Sequence, residues 1–405
     1  MAKFPFGCWS YYPINKVWDS FVKDHHDLGL TVIMSPIFNN GDDPAKMLKL
    51  LDECQEYGMK MMLHDERVTA KRGEPRMDEA SYRARFQHSV DQFGWHPSVM
   101  GFYVGDEPDA PDASNFFHVA RMMRDIAPQL TPYLNLLPWF DWIGERIGSP
   151  AYGPYLDRAV KEGNLAFLSY DCYAQMLEGD TGWNDYFTNL REMRDASKRH
   201  GIPFHSIVLT SGHYDYLCPD QDDMRWQIST AAALGAKAIS YFVVYQGDRA
   251  ANYRCIPLNR YHERTPAYSW LADETRMFQD KHGDLMQYLT CEKSEFTKKA
   301  YGGLGMFTPD DTLVGAYNAK DINMLISTFT GPDGTKYRAI VNMDRKKNIE
   351  AKLAFAPGVR IEKMNWNNTW VSCGGYSDAV GALSADGATA SMWMAPGQLE
   401  IIRES

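Results

Sequence analysis

The stretch VMGFYVGDEPDAPD, Val99 to Asp112, decides how the chain is read. Its first residues form an apolar run with the length of a buried strand, and that run ends directly on two adjacent carboxylates, Asp106 and Glu107. A lone Asp after a strand is commonly the N-cap of the next helix. Here Pro108 follows at once and the next helical pattern starts near residues 112 to 114, so both acids belong to the strand tip. Two like charges side by side at the lip of a core are unfavourable, and such crowding holds one of them protonated.

Working outward, the same cadence extends over nearly 300 residues. Strand-like runs at 4–12, 30–38, 59–65, 99–107, 131–138, 165–173, 203–211 and 236–246 alternate with amphipathic helical segments, the last from about Glu274 to Leu289. Gly29, Gly58, Gly163, Gly201 and Gly235 each stand where a helix stops, just before the next strand. Eight such units in about 290 residues predict an α/β fold of the TIM-barrel type, (β/α)8. A doubly wound open sheet is the alternative, but no G-x-G-x-x-G follows the first strand. After about residue 295 short β-prone runs are separated by Gly, Pro, Asp and Asn, with a hairpin at Gly331 to Gly334. The expected organisation is a catalytic barrel over 1–293 and a small antiparallel β-sandwich over 294–405.

Composition narrows the function. Among 405 residues, 42 basic and 52 acidic side chains give a formal charge of −10, which disfavours nucleic acid or an anionic membrane as partner. No run approaches 18 apolar residues, so a membrane-spanning helix is not expected. The seven cysteines are scattered without a C-x-x-C pair, which reads as a reduced chain with neither a disulfide framework nor a zinc module. The chain as written lacks an export leader; the expected location is the cytoplasm, or the periplasm or exterior had a leader been removed.

In a barrel of this kind the reacting groups sit at the C-terminal strand ends. Those ends carry Trp9 and Tyr11, then Asn39, His64 and Asp65, Asp106 and Glu107, Asn135, Asp171 and Tyr173, His213 and Tyr214, and Tyr241, Tyr245 and Gln246. Asp65 is equally well explained as a helix cap. Side-chain layers come from alternate strands, so Glu107 on strand 4 and Asp171 on strand 6 are expected to face each other across the mouth. Two carboxylates over a polar, aromatic-lined cup suit glycoside hydrolysis, in which one protonated acid serves the leaving oxygen and one ionised group serves the developing positive charge.

These residues resemble the TIM-barrel glycoside hydrolases, including the β-galactosidase-like clan. That resemblance implies Glu107 as acid/base and a nucleophilic Glu on strand 7, yet PFHSIVLTSGHYD (203–215) contains no Glu. The α-galactosidase-like clan, with its pair on strands 4 and 6, matches Glu107 with Asp171. The GDEP run (105–108) is similar to the β-N-acetylhexosaminidases of families 20 and 123, which implies Glu107 as acid/base and Asp106 orienting the substrate's own acetamido group. A supporting tyrosine there corresponds to Tyr173, Tyr214 or Tyr241.

The reading is therefore a glycosidase acting on a terminal glycosidic bond of an oligosaccharide or glycoconjugate, without cofactor or metal, using Glu107 with Asp171 or Asp106. Two other classes compete. A metal-dependent sugar isomerase or amidohydrolase would draw on His64, Asp65, Glu107, Asp171 and His213, although no H-x-H pair ends a strand. A non-catalytic carbohydrate-binding barrel would not need clustered charge.

Overall fold

The computed structural model describes residues 3–74, 78–245, 252–372, 383–384 and 387–404. Strands and helices alternate as β1 (Phe6–Cys8), α1 (Phe21–Asp27), β2 (Val32–Met34), α2 (Pro44–Glu56), β3 (Lys60–Leu63), α3 (Glu79–Ser89), β4 (Val99–Asp106) and α4 (Ala110–Ile126). They continue as β5 (Thr131–Asn135), α5 (Gly144–Ile147), α6 (Tyr152–Gly163), β6 (Leu168–Asp171), α7 (Trp183–His200), β7 (Phe204–Leu209), α8 (Gln221–Ala233), β8 (Ala238–Phe242) and α9 (Pro266–Phe278). All eight expected strands are present and all pair in parallel. They are shorter than the apolar runs because pairing stops where the chain turns into each loop.

The strands form two four-stranded sheets, ordered β1-β8-β7-β6 and β2-β3-β4-β5. The sheets touch at both edges: the Thr31 amide donates to the Phe6 carbonyl at 2.9 Å, and the Leu136 amide to the Ser169 carbonyl at 2.8 Å. Several boundaries differ from expectation. The last helix starts earlier, at Pro266, and continues past Phe278 into a π-helical turn rather than running from Glu274 to Leu289 as one helix. At the end of α6 it is Asn164, not Gly163, that takes the left-handed conformation. Helix α4 begins at Ala110, with Pro111 in its first turn, where a missing N–H costs nothing.

Two glycines of the opening stretch let β4 reach its position. A Cβ on Gly101 would lie 1.8 Å from the Thr131 carbonyl oxygen, so the β4/β5 pairing admits no side chain there. A Cβ on Gly105 would lie 2.2 Å from the ring of Phe116, which packs from α4 beneath the strand tip. Close backbone and helix approach at these two points carries Asp106 and Glu107 to the mouth.

From β9 (Thr290–Phe296) onward, no helix occurs among the described residues. A seven-stranded and a four-stranded sheet face each other across a core that draws Ile326, Ile340 and Ile402 from one and Leu353, Phe355 and Met392 from the other. Pairing is antiparallel except that Gly305–Met306 lies parallel to β9. The expected hairpin is present, with the Gly331 amide donating to the Thr335 carbonyl at 2.8 Å. These sheets lock onto the first eight units through α8: Trp226 is fully buried, and its Nε1 donates to the Met343 carbonyl at 3.1 Å.

The reading of a fully reduced chain is corrected. Cys218, in the loop after β7, is bonded to Cys255, in the loop after β8, across a sequence separation of 37. Cys8, Cys54, Cys172 and Cys291 are buried and free, and Cys373 lies outside the described residues. Among the described residues no helix is long and apolar enough to cross a membrane.

Candidate active site

The C-terminal strand ends open into a cavity of about 760 Å³, a volume suited to a ligand of several rings. Trp9, Tyr11, Asp106, Glu107, Asn135, Asp171, Tyr173, His213 and Tyr214, all expected from the sequence, line it.

Its floor is built around Asn135, the last residue of β5. The Asn135 Nδ2 donates to Asp106 Oδ1 at 3.1 Å and to Asp171 Oδ1 at 2.7 Å, while its Oδ1 accepts from Ser169 Oγ at 3.0 Å. Tyr11 donates its hydroxyl to Asp106 Oδ2 at 3.2 Å. Glu107 lies one residue past β4 with φ of 43°, a left-handed conformation that a side chain rarely adopts. Its amide donates to the Asn135 carbonyl at 2.9 Å and its carbonyl accepts from Arg72 Nη2 at 2.6 Å. Held this way, the Glu107 carboxyl lines the same cavity floor as Asp171 and Tyr173.

The electrostatics follow from this crowding. Burial, then the charges of Asp171 and Asp106, pushes Glu107 up to about 9, against the opposing pull of Arg146 and Arg72. Burial and the charge of Asp106 push Asp171 up to about 7, with the bond from Asn135 working the other way. Asp106 is raised by burial, opposed chiefly by Asn135. Near neutral pH the cluster therefore retains a proton.

Other candidates lie elsewhere. Asn39 is exposed and its amide donates to Asp42 Oδ2 at 2.7 Å, closing a turn before α2. His64 is buried against the ring of Tyr103 and bonded to Glu66 Oε1 at 2.9 Å. Asp65 is paired with Arg67 and accepts from Ser89 Oγ at 2.8 Å, a structural role. Tyr241 points toward α9, bonded to Thr275 Oγ1 at 2.7 Å, because the parity of β8 turns the neighbouring Phe242 into the cavity instead. Tyr245 stands behind the wall, its hydroxyl accepting from the Tyr11 amide at 2.5 Å. Gln246 lies outside the described residues. Since His64 and Asp65 are engaged away from the cavity, the residues a metal reading needs are not gathered. Among the described residues no group of three His, Cys, Asp or Glu is arranged to hold a metal ion.

Several lining residues were not expected from the sequence. Phe140, Trp142 and Arg146 come from the segment after β5, and Tyr216, Phe242 and Tyr253 complete the opposite wall. There His213 lies flat on Tyr253, with ring centroids 4.8 Å apart and planes 6° apart. Loop residues carry no periodicity that would have marked them; only the aromatic excess hinted at a stacking surface.

The chain matches no protein-family model and no curated protein sequence. Among solved structures it is similar to a family 5 glycoside hydrolase from Bacteroides vulgatus, at TM-score 0.57 and 11% identity, over 99% of this chain and 88% of that one. A family 39 glycoside hydrolase from Bacteroides cellulosilyticus is similar at TM-score 0.54 and 11% identity, over 99% and 80%. A β-galactosidase from Marinomonas ef1 aligns at TM-score 0.47 and 12% identity, over 67% of this chain; the chain spans 59% of that enzyme's length. At such identities the likeness establishes the fold: an eight-strand parallel α/β core followed by antiparallel sheets.

Proposed function

We propose that this chain is a glycoside hydrolase, a closed (β/α)8 barrel over 1–293 followed by a β-sandwich over 294–405, with Glu107 as general acid/base and Asp171 as the second carboxylate. The observation that carries the reading is the gathering of Glu107, Asp171 and Asp106 around Asn135 at the floor of an aromatic-walled cavity, where burial raises all three acids and the charges of their neighbours raise Glu107 and Asp171 further. Inverting enzymes hold their acids about 6.5–9.5 Å apart to leave room for a water, whereas retaining pairs stand about 5–5.5 Å apart. Asn135 holds Asp171 and Asp106, the neighbour of Glu107, on one nitrogen, which favours the short arrangement. Glu107 would pass its proton to the glycosidic oxygen as an Asp171 oxygen bonds to the anomeric carbon. Water, deprotonated by Glu107, would then cleave that ester and restore both groups.

A second reading has its own support. Asp106 is held by Asn135 and Tyr11 beside Glu107, as substrate-assisted cleavage of a 2-acetamido sugar would require. The substrate is a carbohydrate in either case. The Cys218–Cys255 bond supports an exported rather than a cytoplasmic protein.

The test is turnover of aryl glycosides, among them N-acetylhexosaminides, α- and β-galactosides and glucosides, by the wild type and by Glu107→Gln, Asp171→Asn and Asp106→Asn. Glu107→Gln is expected to lose roughly 10²- to 10⁴-fold in kcat on any unactivated substrate. Azide rescue of Asp171→Asn supports a protein nucleophile; activity confined to 2-acetamido sugars with Asp106 essential supports assistance. Full activity of Glu107→Gln would end both.

A further inference from the structure

The carboxylates occupy only the floor of the cavity, and one rim carries an aromatic pair that the bond-breaking chemistry does not use. In the segment after β5, Phe140 and Trp142 stack with centroids 5.4 Å apart and planes 6° apart. Phe140 thus lies parallel to the indole and offset from it, and Trp142 remains 70% exposed. A single exposed aromatic needs no explanation on a protein surface. This one lies parallel to a second ring and lines the same cavity as the acids. An indole so exposed is a surface for another flat, partly apolar object, and the C–H-bearing face of a sugar ring is such an object.

The rim can be placed relative to the bond that breaks. The same segment runs into Arg146, which lines the cavity with its Nε bound to Asp109 at 2.5 Å. Asp109 follows Glu107 by two residues, so this ion pair ties the segment to the stretch of chain that carries Glu107. The rim therefore lies on the side of Glu107, the group that serves the leaving oxygen.

We propose that the Phe140–Trp142 pair is a stacking platform for a second sugar unit on the leaving-group side, so that the substrate is an oligosaccharide of at least two sugar rings. The proposal rests on the glycosidase reading for its direction, but its test reads binding. Mono- to tetrasaccharides of the gluco, galacto, manno, xylo and N-acetylgluco series are titrated calorimetrically into the full-length Glu107→Gln protein. In at least one series the disaccharide binds about tenfold tighter than the monosaccharide, the scale of one added ring contact. In the same background Trp142→Ala removes that advantage and leaves the monosaccharide affinity unchanged, while Trp142→Phe keeps most of it. The exposure of Trp142 keeps folding out of the comparison, and circular dichroism checks it. Disaccharides that bind no tighter than monosaccharides, or a Trp142→Ala protein that weakens both alike or neither, overturn the platform. A wild type that hydrolyses no aryl glycoside overturns the hydrolase and leaves this titration readable.

Discussion

Glu107 and Asp171 meet at the floor of one cavity although one follows β4 and the other ends β6. The residue between them, Asn135 on β5, sets the arrangement from both sides. Its carbonyl fixes the Glu107 backbone and its amide draws Asp171 and Asp106 toward one nitrogen. A neutral donor at this point gathers three acids without adding a fourth charge, and it favours the ionised form of the two acids it touches. The division of labour in the cluster thus comes from a β5 side chain that does no bond-breaking itself.

The first expectation is a bell-shaped pH profile. Asp171 must be ionised and so works above about 7; Glu107 must be protonated and so works below about 9. The limbs of kcat/KM should fall near those values. Asn135→Ala removes the donor that lowers Asp171, so the acidic limb should move to higher pH. A limb that stays put or moves to lower pH refutes a tuning role for the amide.

How much of this was legible follows from which signals have a period. The eight units were readable because strands and helices repeat and glycines punctuate them, and the acids because they end strands. Parity at a strand end was not readable: one residue decides whether Tyr241 or Phe242 faces the cavity, and the run of apolar residues in β8 leaves that undetermined. His64 and Asp65 occupied the right places in sequence, but Glu66 and Arg67, two residues further on in each case, turn back and engage them. Arg72, Trp142 and Arg146 sit in loops whose course depends on tertiary contacts. The Cys218–Cys255 pairing was hidden for the same reason, since it joins two such loops.

That disulfide leads to the second expectation. The loops it joins carry His213, Tyr214, Tyr216 and Tyr253, and they are tied further by reciprocal Gly212 and Arg254 backbone bonds of 2.8 and 3.1 Å. Arg254 also donates to the Tyr214 and Tyr216 carbonyls. Cutting the disulfide should loosen one wall of the cavity while the Asn135-centred floor stays in place. Mild reduction, or Cys255→Ser, should raise KM several-fold with a smaller change in kcat. Thiol titration of the unfolded, unreduced protein should find two fewer than the seven cysteines of the chain. Seven free thiols, or an unchanged KM after verified reduction, contradicts this role.

The third expectation concerns stability, and its sign follows from the direction of the Glu107 shift. The carboxyl is raised from 4.5 to about 9 in the folded protein, so the folded state holds a proton that the unfolded chain releases. Stability contributed by that proton is fully present below pH 4.5 and is lost as pH rises toward 9. A glutamine at 107 keeps the size and polarity of the side chain and has nothing to ionise. Glu107→Gln should therefore match the wild type in denaturant midpoint near pH 4 and exceed it near pH 8. Equal stability at both pH values would mean that Glu107 is an ordinary carboxylate. A variant less stable at pH 8 would mean that the ionised form is what the fold prefers, and the acid role assigned to Glu107 would fall with it.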